Sequence, residues 1–123
     1  MVYRILSTWS APMPEHEAEF EDYYINVHCP FAARLPGVQH LYLTRASEGI
    51  DATPPDFYRI AELWFASKEA FIAATESKEW AEMRVDAGYV HEKWGCRLSS
   101  GQGDLVDFPL DPGGLRPISG ADG

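Results

Sequence analysis

Residues 57–66, Phe-Tyr-Arg-Ile-Ala-Glu-Leu-Trp-Phe-Ala, are apolar at nearly every position. A strand with one wet face alternates apolar and polar side chains, whereas an unbroken apolar run reads as a strand covered on both faces. Whatever this chain folds into must therefore lay something against each side of that strand. Glu62 stands in the middle of the run, and a buried carboxylate has to be paired or protonated. Arg4, Arg45, Arg59 and Arg97 are its candidate partners in an ion pair. The other reading is a carboxylate that works on a ligand.

The rest of the chain supplies the elements around this strand. Residues 2–10 read as a strand that Pro12 and Pro14 end. Glu15 and Glu17 then fall in the first turn of a helix, where carboxylates favour the dipole. That helix spans roughly 14–28 and continues, kinked, to 35, where Pro36-Gly37 turns the chain. Residues 38–46 form a strand and 47–56 a loop. Ser67 caps a second helix with Phe71, Ile72 and Thr75 inward. Ser77 caps a restart with Trp80, Met83 and Ala87 inward, and Gly88 ends it. Residues 89–98 read as a weaker fourth strand, and Gly and Pro dominate from Ser99 onward.

The order is β-α-β-β-α-β, which predicts an α+β, ferredoxin-like fold: a four-stranded antiparallel sheet with helices on one face. Residues 1–99 are the expected domain and 100–123 a C-terminal tail. The other sheet face needs a cover. A second copy of the chain would supply it, as a homodimer in the form of a dimeric α/β barrel.

At 123 residues the chain suits one domain with one core. A net charge of −9 speaks against nucleic-acid binding, because the field of the whole chain repels phosphates. No apolar run approaches the roughly 18–20 residues of a membrane span, and the N-terminus lacks a signal-peptide plan. A cytoplasmic protein without a membrane partner is expected. In that compartment Cys29 and Cys96 are expected to be free thiols. No Cys/His cluster has zinc spacing, and neither a metal nor a cofactor is expected.

His28 carries the chemistry of the reading. Phe20, Tyr24, Val27, Phe31 and Leu35 fall at helical spacing, and His28 lies one turn after Tyr24 on that apolar face. A histidine turned into a core is either packed there or handling protons. Pro30 removes a backbone N–H from the helix and strains it there. Tyr24 would orient His28 or share a substrate hydrogen bond. Trp9, Trp64 and Trp80 are candidate ligand walls, with Glu62 as above. His40 and Tyr42 share one strand face and line the cavity if that face looks toward the helices. His16 and His91 read as exposed.

Phe20, Tyr24, His28, Pro30 and Leu35-Pro36-Gly37 are similar to the first-helix signature of EthD-type proteins, within the dimeric α/β-barrel superfamily. Tyr58-Arg59-Ile60-Ala61-Glu62-Leu63-Trp64-Phe65-Ala66-Ser67 resembles that family's third strand and helix cap. The resemblance covers roughly residues 2–98. It implies the fold and the dimer more than a reaction. The wider superfamily includes cofactor-independent isomerases of muconolactones, polyketide cyclases, decarboxylases, small monooxygenases and haem-handling proteins. In methylmuconolactone isomerase relatives a histidine matching His28 belongs to the active site.

Three functions follow as expectations. The first is a cofactor-independent isomerase, cyclase or lyase acting by proton transfer on a small hydrophobic lactone or aromatic, polyketide-like compound. His28 would be its acid or base, and Tyr24 the oxyanion donor, with Tyr42 or His40 as further donors. The second is a non-catalytic dimeric accessory protein that holds a hydrophobic metabolite in a degradation pathway. The third is haem or monooxygenase chemistry, with His28 as an axial ligand.

Overall fold

A computed structural model describes residues 1–110. The elements run in chain order from β1 (Val2–Trp9) through a short 3₁₀ turn (Pro14–His16) to α1 (Glu17–Tyr23), a π-turn (Tyr24–His28) and α2 (Cys29–Ala33). Then come β2 (His40–Arg45), β3 (Arg59–Phe65), α3 (Lys68–Thr75), α4 (Lys78–Trp94) and β4 (Leu98–Leu105). The strands form one antiparallel sheet in the order β2-β3-β1-β4. This is the α+β, ferredoxin-like arrangement that the order of elements implies.

Strand alternation assigns each residue to a face. Tyr3, Ile5 and Trp9 of β1 and Leu63 and Phe65 of β3 are buried under the helices. Two apolar clusters hold the layers together. One joins Tyr3, Ile5, Leu35, Leu63, Phe65 and Phe71; the other joins Trp9, Phe20, Tyr24, Val90 and Trp94. Burying each large side chain contributes about 1.5–3 kcal/mol, so these rings outweigh the weak strand propensity of several segments they cover.

Both serines act as the sequence implies. Ser67 Oγ accepts from the N–H of Ala70, and Ser77 Oγ accepts from the N–H of Trp80, each at 3.1 Å. The helix breaks between them and restarts. Gly88 does not end α4, however. The helix continues to Trp94 and stops at Gly95, which adopts φ 70° and donates its N–H to the carbonyl of His91. A glycine inside a helix costs only about 1 kcal/mol. Val90 and Trp94 are both buried at helical spacing from Asp86, and that burial outweighs it.

The fourth strand is therefore not residues 89–98. It is Leu98–Leu105, Leu-Ser-Ser-Gly-Gln-Gly-Asp-Leu, paired with β1 along the whole of that strand. Its composition disfavours a strand; the free edge of β1 recruits it. The sheet thus extends beyond residue 99 into the segment expected to be tail. Val106, Phe108 and Leu110 are exposed beyond it, and the tail's residues 111–123 lie outside the described residues.

The first helix widens to a π-turn just before Pro30, with the N–H of Cys29 donating to the carbonyl of Tyr24. Such a turn inserts an extra residue into the helical register and is frequent at functional sites. It also rotates the face beyond it. Phe20, Tyr24, His28, Cys29, Ala32 and Leu35 are buried, whereas Val27 is exposed. The straight-helix spacing that put Val27 inward fails at this turn.

Candidate functional site

Three neighbouring strands each place a small residue at one level of the inner face. Ser7 on β1 is in register with Ala61 on β3 and with Ser100 on β4. The Ser7 and Ser100 hydroxyls lie 3.0 Å apart. Large side chains flank this row, so the helices are held off the sheet and a cavity of about 380 Å³ remains above it. That volume suits a small organic molecule. Ile5, Leu63, Phe71 and Met83 form apolar walls, and Trp9, Tyr24, His28 and Trp80 also line the space.

His28 enters this cavity from the π-turn. Its Nδ1 lies 2.7 Å from Oδ2 of Asp86 on α4, and both side chains are only about one-tenth exposed. The carboxylate oxygen accepts, so Nδ1 carries the hydrogen, and in the neutral imidazole Nε2 is the nitrogen with the lone pair. The other oxygen of Asp86 accepts from the Tyr23 hydroxyl at 2.5 Å. Burial and this contact push the Tyr23 hydroxyl above its ordinary range, so it stays a donor. Trp9 meets the His28 ring edge-on, with centroids 5.7 Å apart. Nε2 makes no hydrogen bond among the described residues.

Tyr24 lines the same cavity one turn earlier. It is 1% exposed, and its hydroxyl has no hydrogen-bond partner among the described residues. A buried hydroxyl without a partner costs roughly 1–3 kcal/mol. The Cys29 thiol beside it is too weak a donor and acceptor to replace a true partner. Burial raises the Tyr24 hydroxyl well above the usual tyrosine value, so it remains protonated. Arg59 lies over the Tyr24 ring, 5.1 Å from its centroid, and pairs with Glu21, which also accepts from the Tyr58 hydroxyl at 2.8 Å. Burial alone would raise Glu21. The Arg59 and Tyr58 hydrogen bonds and the Arg59 charge together bring it below its ordinary value.

Of the residues singled out in the sequence, Trp9, Tyr24, His28 and Trp80 come together around the cavity. His40, Tyr42, Glu62 and Trp64 do not. They occupy the opposite face of the sheet, because Leu41 and Leu63 take the inward positions of β2 and β3. Among the four cations considered for Glu62, Arg4 is the partner, with Arg4 Nε 2.9 Å away. The Trp64 indole N–H also donates to Glu62, at 2.6 Å. His40 and Tyr42 stack beside Trp64 on that face. His16 and His91 are exposed, and both cysteines are free and buried.

Sequence reasoning missed Asp86 and Tyr23. One signal for Asp86 was available: it lies three residues after Met83 and four before Val90, on the apolar stripe of α4. Among the described residues, no group of three His, Cys, Asp or Glu side chains is placed to hold a metal ion. None of their helices is long and apolar enough to cross a membrane.

Residues 14–89 match the family model of the EthD domain. The chain belongs to the EthD family. Tyr23, Tyr24, His28 and Asp86 all fall inside the matched EthD span. An uncharacterized 11.0 kDa protein from the thcB-thcC intergenic region of Rhodococcus erythropolis is 27% identical over 85 residues, covering 69% of this chain and 80% of its own length. The crystal structure of an EthD family protein from Bacillus halodurans superposes with a TM-score of 0.68 at 21% identity, covering 85% of this chain and 100% of that one. A dabb family protein with a ferredoxin-like fold from Mesorhizobium loti gives a TM-score of 0.54 at 13% identity, over 86% of this chain and 98% of that one. At these identities the two superpositions show that the ferredoxin-like fold is shared.

Proposed function

We propose that this EthD protein is a cofactor-independent enzyme that moves a proton next to a carbonyl group of a small, largely apolar substrate. The observation that carries this reading is the His28–Asp86 pair at an apolar cavity, with Nε2 unpartnered among the described residues. A carboxylate on Nδ1 fixes the tautomer and orients the ring. It also stabilises the imidazolium that forms when Nε2 takes a proton. Tyr24 is the matching donor. Its hydroxyl is buried, without a partner among the described residues and held protonated, which suits it to an enolate oxygen that develops as the proton leaves. The substrate class that fits is a lactone or an aromatic, polyketide-like ketone, and the reaction an isomerisation, cyclisation or elimination.

The test does not need the natural substrate. The protein is incubated in D₂O with a panel of lactones and aryl ketones, and deuterium next to the carbonyl is followed by NMR. Wild-type protein is expected to accelerate exchange for at least one compound, and His28→Ala to lose that acceleration by about 10²-fold or more. Full exchange in a folded His28→Ala protein would remove the proposal.

We propose also that a second copy covers the outer sheet face. Leu6, Ile60 and Trp64 are only half-buried there and Tyr42 is exposed. A solution molar mass of twice the chain supports the dimer, and a monomer at micromolar concentration refutes it.

A further inference from the structure

The mouth of the cavity is charged against the rest of the chain. The net charge is −9, yet among the described residues no carboxylate lines the cavity and Arg84 does. A shallower hollow of about 450 Å³ adjoins it and shares Trp9, Arg84, Ala87 and Leu98 with its wall. That hollow adds His91 and Arg97, again with no carboxylate among its lining residues. Arg4, Arg45, Arg59 and Lys93 are each in an ion pair, whereas Arg84 and Arg97 have no such partner among the described residues. Local sequence explains this for Arg84: the positions three and four away on its helix are Trp80, Ala81, Ala87 and Gly88, none of which can pair with it.

Two guanidinium groups beside an apolar chamber, neither in an ion pair among the described residues, make a selective opening. Charge of one sign around a low-dielectric cleft raises the local concentration of oppositely charged ligand. The guanidinium fork matches a carboxylate with two parallel hydrogen bonds.

We propose that the ligand of this cavity is a small organic acid, with its carboxylate held at the mouth by Arg84 and its apolar body seated inside against Leu63 and Phe71. Arg97 adds charge to the approach. The inference rests on the proton-transfer reading for what happens at His28, but its test reads binding alone.

The probes are 1-naphthoate and its neutral counterpart 1-naphthamide, titrated calorimetrically into the wild-type protein. The acid is expected to bind about tenfold tighter or more, as a charge-assisted contact requires. Arg84→Gln, a change at an exposed position, is expected to abolish the preference while leaving naphthamide affinity in place. Arg97→Gln should weaken the acid by about two- to threefold at low salt and have no effect at high salt. His28→Gln should keep the preference, so loss of proton transfer and loss of acid recognition are separable. Equal affinity for acid and amide, a preference that survives Arg84→Gln, or no binding of either at millimolar concentration overturns the proposal. Equal affinity would leave the arginines as a surface for an acidic protein instead.

Discussion

Asp86 and His28 are 58 residues apart in sequence, and their side chains meet at 2.7 Å between Oδ2 and Nδ1. One comes from the middle of α4 and the other from the π-turn, and Tyr23 holds the far oxygen of Asp86. The contact links the two helices and decides which nitrogen of His28 faces the cavity.

Asp86→Asn tests that decision. An amide can still accept from Nδ1–H, but it can also turn its NH₂ toward the ring and stabilise the opposite tautomer. Deuterium exchange is expected to fall by roughly 10²-fold or more, with far-ultraviolet circular dichroism unchanged. Exchange within a factor of two of wild type would show that Asp86 does not position His28.

Ala61 tests the cavity floor. It sits in register with Ser7, in the row of small residues beneath the cavity. Ala61→Phe is expected to fill the space and lower ligand affinity by about 10-fold or more. Its melting temperature should stay within a few degrees of wild type, since the added ring enters an existing void. Unchanged binding would place the ligand elsewhere.

Glu21 tests the support behind Tyr24. It accepts from Arg59 and Tyr58, and Arg59 in turn lies over the Tyr24 ring, so removing Glu21 strands a guanidinium that is nine-tenths buried. Glu21→Ala is expected to cost about 2–4 kcal/mol in urea unfolding. Because the folded protein holds Glu21 below its ordinary value, its contribution is present above the ordinary carboxylate range. It is lost as pH falls through the folded value. The difference between wild type and Glu21→Gln should therefore shrink on acidification below about pH 4.5. A difference that grows there contradicts the assignment.

The alkaline side has the opposite sign. Burial pushes the Cys29 and Cys96 thiols from 9.0 up to about 11, and raises Tyr23, Tyr24 and Tyr58 as well. Above pH 9 the folded chain therefore holds more protons than the unfolded one, so stability falls as pH rises. The urea midpoint is expected to drop steadily from pH 9 to 11, less so in Cys29→Ala. A flat midpoint over that range would mean that these groups are not buried.

The fold was legible because its elements are separated by strong signals. Two serine caps, Pro36-Gly37 and the apolar run at 57–66 mark boundaries that local chemistry decides. The end of α4 was not legible, because Gly88 is a weak breaker and the burial of Val90 and Trp94 is a tertiary effect. Nor was β4, whose Ser- and Gly-rich segment is a strand only because β1 offers an edge. In the site, the inward position of His28 could be read from its spacing to Tyr24. Asp86 could not be paired with it, since a contact between two helices leaves no local trace. His40, Tyr42, Glu62 and Trp64 fell on the far face because strand parity turns on a single residue of register.

Asp86 is proposed to hold His28 so that Nε2 faces a ligand in the cavity. The most direct measurement is the ¹⁵N–¹H long-range correlation spectrum of the His28 ring at neutral pH, with and without the lactone and aryl ketone panel. The Nδ1–H tautomer is expected in the free protein, with a shift of the Nε2 resonance when a compound binds. An Nε2–H tautomer, or an Nε2 resonance that no compound moves, would contradict it.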